Sequence, residues 1–170
     1  MRLMAVLVVI LLLVSALGFA ATSMAFGGSL VLGFGVLGVS GYYWWGTELD
    51  VQLPSIGPVD FGAPRVYGGP ELTYVNVAGA SGVSVGVSGQ VMLPIESFQF
   101  KLFGMELQPA LGARGSLYYW VLDAYGTGYG GLETSVDPQI VFITKPENGG
   151  LRWWGYFWPV PLIVGFGAYN

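Results

Sequence analysis

Glu48 and Asp50 stand two residues apart in the run Trp45-Gly46-Thr47-Glu48-Leu49-Asp50, which puts both carboxylates on one face of an extended chain. Such a pair can divide acid and base roles between its members. Any strand with a polar face offers the same pair, so the spacing by itself carries no reaction. Glu106, Arg114, Glu133 and Arg152 extend this sparse polar set. The chain has no His and no Cys, which removes the Ser-His-Asp triad, a thiolate nucleophile and the commonest metal ligands. Asp60, Asp123 and Asp137 are too scattered for a calcium loop. The glycine stretches at 33–35 and 126–128 open no helix, so they do not cradle phosphate. No catalytic, cofactor-binding or metal-ligating residue is expected, and the protein reads as a non-enzyme without a cofactor.

The elements that must position these few charges are set by composition. The 170 residues, enough for one domain, are 54% hydrophobic, 15% aromatic and only 9% charged, against about 25% charged in soluble domains. Mean hydropathy is +0.63. Disorder is excluded. Six basic residues against ten acidic ones give no basic footprint, so nucleic acid is not an expected partner. The 28 Gly and 10 Pro argue against long helices.

Arg2 precedes the apolar run from Leu3 to Leu17, and small residues follow through Ser23-Met24-Ala25. This pattern predicts a secretory signal peptide over residues 1–25, cut after Ala25, or an uncleaved anchor helix over the same residues. Residues 26–170 then form one extracytoplasmic domain.

Within that domain the period is two. Val83, Val85, Val87, Val91 and Leu93 alternate with Ser84, Gly86, Ser88, Gln90 and Met92, and similar alternation runs through 45–53 and 105–122. Strands are expected at 29–39, 43–53, 65–77, 82–102, 105–122, 129–143 and 151–168, the last interrupted by Pro159 and Pro161. One hairpin can be drawn residue by residue. Folding about Phe103-Gly104 pairs Leu102 with Met105, Lys101 with Glu106 and Phe100 with Leu107. The parity of the apolar positions flips across Pro94–Ser97, and a one-residue bulge there would place Gly86 opposite Trp120 and Ser88 opposite Tyr118.

The non-apolar face of these strands is mainly Gly and Ser, poor cover for a soluble surface but suitable filling for a narrow barrel. The apolar face would then meet lipid. Arg114, and Arg152 with it, are expected to bridge carboxylates among Glu48, Asp50, Glu106 and Glu133 inside a packed lumen. Tyr42, Tyr43, Trp44, Trp45, Trp120, Trp153, Trp154 and Trp158 fall in clusters expected at the membrane–water boundary.

The chain thus resembles the small outer-membrane β-barrels of diderm bacteria, the OmpA/OmpX-like class. The likeness lies in the signal segment, the amphipathic strands, the aromatic clusters and the alternating closing segment Val160, Leu162, Val164, Phe166 and Ala168. Seven strand runs rather than an even number, a terminal Asn170 and the long Pro54–Pro64 segment after the second strand depart from that pattern.

The expected fold is all-β, an antiparallel up-and-down barrel of about eight strands. The resemblance implies a bacterial outer-membrane location. The partners would be the lipid bilayer and other envelope proteins, and the role structural, as in an accessory subunit of an envelope or surface-layer assembly. The competing reading is a secreted β-sandwich for binding or adhesion with an aromatic core. A lipid-modifying enzyme, and a helical protein using Gly27–Tyr43 as a second span, are more remote.

Overall fold

The computed structural model describes residues 23–33, 36–78, 80–124, 127–144, 152–159 and 162–169. Nine antiparallel strands follow one another: β1 (Ser23–Gly33), β2 (Val36–Glu48), β3 (Arg65–Val77), β4 (Ala80–Pro94), β5 (Phe100–Leu102), β6 (Met105–Ala124), β7 (Thr127–Thr144), β8 (Arg152–Pro159) and β9 (Leu162–Tyr169). Each ring strand pairs with its neighbour in the chain, β4 pairs with β6, and β1 pairs with β9. The result is a closed antiparallel barrel of eight strands. The short β5 stands outside the ring and pairs only with the start of β6.

Closure decides which face is inside. Val83, Val85 and Val91 on β4, and Leu111, Tyr119 and Val121 on β6, are exposed on the outer wall, while Ser84, Ser88, Gln90 and Met92 are buried in the lumen. Apolar residues therefore point outward around a ring and do not converge between two sheets, which overturns the β-sandwich reading. Residues 27–33 and 36–43 lie in β1 and β2, so they form no helical span.

Several expected boundaries shift. Ser40-Gly41, in the gap between the expected strands 29–39 and 43–53, sits in the middle of β2, paired with Thr73 and Leu72 of β3. The long last run divides into β8 and β9, which brings the ring to an even number. The expected cut after Ala25 falls inside β1, where Ala25 is fully buried and pairs with Trp44 and Tyr169. Residues 1–22 of the expected signal segment lie outside the described residues.

The Phe103-Gly104 turn pairs the residues expected of it: Phe100 with Leu107, Lys101 with Glu106 and Leu102 with Met105. Both turn residues have positive φ, 50° and 81°, as a tight hairpin turn of the primed type requires. Further along, the register differs from a single bulge. Gly86 faces Tyr118 and Ser88 faces Ser116, with Trp120 opposite Ser84. Pro94 is the last rung of the β4–β6 ladder and Ile95 N–H still donates to Pro109 O, but the same stretch also bonds the segment before β3. Gly62 N–H donates to Pro94 O, Glu96 N–H to Asp60 O, and Phe61 bridges Ile95.

The wall is uneven. β7 pairs with β6 along its whole length, from Leu107↔Thr144 to Ala124↔Thr127. β7 and β8 pair only through Ile140–Ile143 with Trp154–Phe157. Among the described residues, 127–139 of β7 therefore have no ladder partner on the β8 side.

Candidate functional site

The lumen has two halves. Towards the end where the chain enters at Ser23 and leaves at Tyr169, it is filled by rings. Tyr42 and Trp44 stack at 4.0 Å between centroids, Trp44 and Trp154 at 5.6 Å, and Trp154 and Tyr156 at 5.3 Å. Rings of this size fit because β9 offers glycine opposite them. A Cβ on Gly165 would strike the Tyr156 ring, and one on Gly167 would strike the Trp154 indole. Two polar edges in the stack are bonded: Trp44 Nε1 donates to Ser88 Oγ at 2.9 Å, and the Tyr42 hydroxyl donates to Phe166 O at 2.9 Å. The buried Trp154 Nε1 has no hydrogen-bond partner among the described residues. Beside the stack, Gln90 Nε2 donates to Gln139 Oε1 at 2.6 Å.

Period two explains why the aromatic expectation needs correction. Adjacent residues in a strand face opposite sides, so a cluster such as 42–45 cannot turn all its rings to the outer surface. Tyr42, Trp44 and Trp154 are buried in the lumen, whereas Tyr43 is exposed on the outer wall. Trp45 shares the outward parity, with its ring 5.2 Å from that of Tyr43. Trp120 points inward and lies against Gly131. The side chains of Trp153, Trp158 and Arg152 lie outside the described residues.

Arg114 caps the ring stack at mid-barrel. Its Nη1 donates to the Tyr156 hydroxyl at 2.6 Å, and its Nη2 donates to Glu71 Oε1. The guanidinium carbon lies 5.7 Å from the Trp44 ring centre, 5.8 Å from Tyr156 and 5.9 Å from Tyr42, close enough for cation–π attraction. Thr73 Oγ1 also donates to Glu71. Charge, ring faces and hydroxyls are thus matched within one layer.

Arg114 is the residue expected to pair inside the lumen, but its carboxylate is Glu71, which lies on none of the runs from which candidates were drawn. Of the expected acidic set, only Glu133 lines the same interior space. Glu48 stands at the rim, paired with Arg65 at 2.9 Å and 55% exposed. Asp50 is exposed beyond the end of β2. Glu106 pairs with Lys101 in the outlying hairpin. The physical reason is strand length: β2 ends at Glu48 and β5 leaves the ring, so parity alone does not bring these groups inside. Asp137 shares the parity of Glu133 on β7 and could have been found by that signal. Glu71 follows Pro70 in a run where the alternation is weak, and its pairing across the lumen leaves no local trace.

Beyond Arg114, towards the end where β1 meets β2 and β3 meets β4, lies a cavity of about 330 Å³. Seryl pairs line its walls: Ser29 with Ser40 and Ser116 with Ser135, each at 2.6 Å. Ser135 in turn donates to Asp137 at 3.0 Å, and Tyr118 stands opposite Glu133 in the β6–β7 ladder. Among the described residues, no group of three or more acidic side chains is placed to hold a metal ion. The chain matches no family model and no curated protein.

Proposed function

We propose that this chain is an integral β-barrel of a bacterial outer membrane, exported by its N-terminal segment, with a structural or interaction role in the cell envelope. One observation carries the reading. Each of the eight ring strands presents exposed large apolar side chains outward, from Phe26 and Leu30 on β1 through Leu72 on β3 and Ile140 on β7 to Val164 and Phe166 on β9. Water would penalise that wall, whereas lipid matches it. Ring closure supports the same reading, because pairing right round the ring satisfies backbone groups that would otherwise face hydrocarbon, the unpaired β8 side of residues 127–139 in β7 excepted among the described residues.

The plug of rings and the Arg114–Glu71 pair suit a barrel that fills its lumen rather than a wide channel. An accessory subunit in a larger envelope assembly fits a chain whose charges lie mainly inside or at its ends. The test is extraction from envelopes. The protein should resist salt and high pH, dissolve in detergent, and run faster on gels unboiled than boiled. Release by carbonate washing alone would overturn the membrane reading, and steady large single-channel currents would overturn the closed lumen.

A further inference from the structure

We propose that the cavity above Arg114 is a binding site for a small organic ammonium ion with an apolar body. The inference does not depend on what surrounds the outer wall. At about 330 Å³ the cavity falls within the usual range for small-ligand sites, roughly 300–1,000 Å³.

Its charge decides the ligand's sign. Arg114 is the one cation among the lining residues. Its two terminal nitrogens are engaged by Tyr156 and Glu71, and its guanidinium lies within cation–π range of three rings. It therefore neutralises Glu71 and leaves little to attract an anion. Glu133 and Asp137 remain, both lining the cavity from β7, Asp137 accepting from Ser135 and Glu133 standing opposite Tyr118 in the ladder. Three carboxylates against one guanidinium give the lining a net negative charge, which favours a positively charged guest.

The walls decide its body. Trp120 is held across Gly131 at the edge of the cavity, with indole atoms 3.2–3.3 Å from where a Cβ would stand. Val31, Val75 and Ile163 supply apolar surface on the facing side. An aromatic face beside carboxylates is the combination that holds an alkylammonium group. A bare metal ion suits it less, since no acidic triad converges there among the described residues.

The test compares three molecules of nearly equal shape by calorimetry on the folded, detergent-solubilised full chain: 2-phenylethylamine, 2-phenylethanol and phenylacetate. The amine should bind with one-to-one stoichiometry, and the alcohol and the acid at least tenfold more weakly. Combining Glu133→Gln with Asp137→Asn should weaken the amine at least tenfold and leave the alcohol unchanged. Ser84→Phe, which fills the cavity while keeping both carboxylates, should abolish amine binding. Gel mobility before boiling identifies folded protein for each variant. Equal binding of amine and alcohol, unchanged affinity in the double variant, or no saturable amine binding would each overturn the proposal.

Discussion

Arg114 on β6 and Glu71 on β3 form an ion pair although β4 lies between their strands, so the contact crosses the lumen rather than following the sheet. Register partners in a barrel are fixed by the ladder: Arg114 faces Gln90 on one side and Asp137 on the other. The long Arg side chain passes both to reach a carboxylate across the interior. Backbone hydrogen bonds close the ring, and this pair ties β3 to β6 across the inner face of β4, above the aromatic stack.

Arg114→Met should therefore destabilise the barrel strongly. Both side chains of the pair are only 11% exposed, and removing one partner from a buried pair costs about 3–5 kcal/mol because the other charge is stranded. Adding Glu71→Gln to Arg114→Met should recover much of the loss. Urea unfolding followed by the unboiled gel band measures both. An unchanged midpoint for the single variant would mean that the pair holds nothing together. Conductance should stay at background in either variant, since the rings below still fill the lumen.

Gly165→Ala should also destabilise, for a steric reason. The added Cβ overlaps the Tyr156 ring, and that ring is held by stacking on Trp154 and by the Arg114 bond. Overpacking of this kind costs about 1–3 kcal/mol. Gly155→Ala is the control, because the nearest atom to its Cβ is a backbone oxygen at 3.4 Å. Thermal unfolding of the two variants side by side should show a clear drop only for Gly165→Ala.

Much of the barrel is legible in the sequence because side-chain parity is local. The alternation of Val83, Val85 and Val91 with Ser84, Ser88 and Gln90 marks inside and outside correctly, and the Phe103-Gly104 hairpin pairs as drawn. What is not legible depends on distance around the ring. The β4–β6 register differs from the drawn one next to a stretch where Gly62 N–H donates to Pro94 O and Glu96 N–H to Asp60 O, contacts with the segment before β3 that have no local signature. Tyr42 and Trp44 looked like boundary aromatics by type, yet their even positions place them with Ser40 on the inner face. Glu71 needed the closed ring before it could be matched to Arg114.

At the rim the same chemistry should matter far less. Glu48 is 55% exposed in its pair with Arg65, and exposed pairs contribute about 0–1 kcal/mol. Arg65 does more, donating to the Tyr169 hydroxyl at 2.6 Å and lying over that ring. Glu48→Gln should thus leave the urea midpoint nearly unchanged, while Arg65→Ala lowers it measurably. Equal losses for the two would locate the stabilisation in the ion pair rather than in the Tyr169 contact.

Export processing should spare β1. Ala25 is fully buried between β2 and β9, and Ser23 Oγ donates to Gly46 O at 3.3 Å. A cut after Ala25 would remove three residues of the strand that closes the ring. Intact mass of the protein purified from envelopes should place its first residue at Ser23 or earlier. A dominant species beginning at Phe26 would show that the barrel closes without them.

The outer wall offers the most direct test of its surroundings. Val85 is 60% exposed on β4, between the outward residues Val83 and Val91. In water, Val85→Arg would place a charge on an open surface and change stability by less than about 0.5 kcal/mol. Facing lipid, Arg is costly, about 2–4 kcal/mol near the bilayer midplane and less towards the boundary. Guanidinium unfolding from phospholipid vesicles should therefore show a loss above 1 kcal/mol for Val85→Arg. Asp50→Arg, beyond the end of β2, should show almost none. The same pair of substitutions measured against depth, with Val91→Arg added, should give a graded cost along β4. A flat response at all three positions would mean that the apolar wall meets something other than a bilayer.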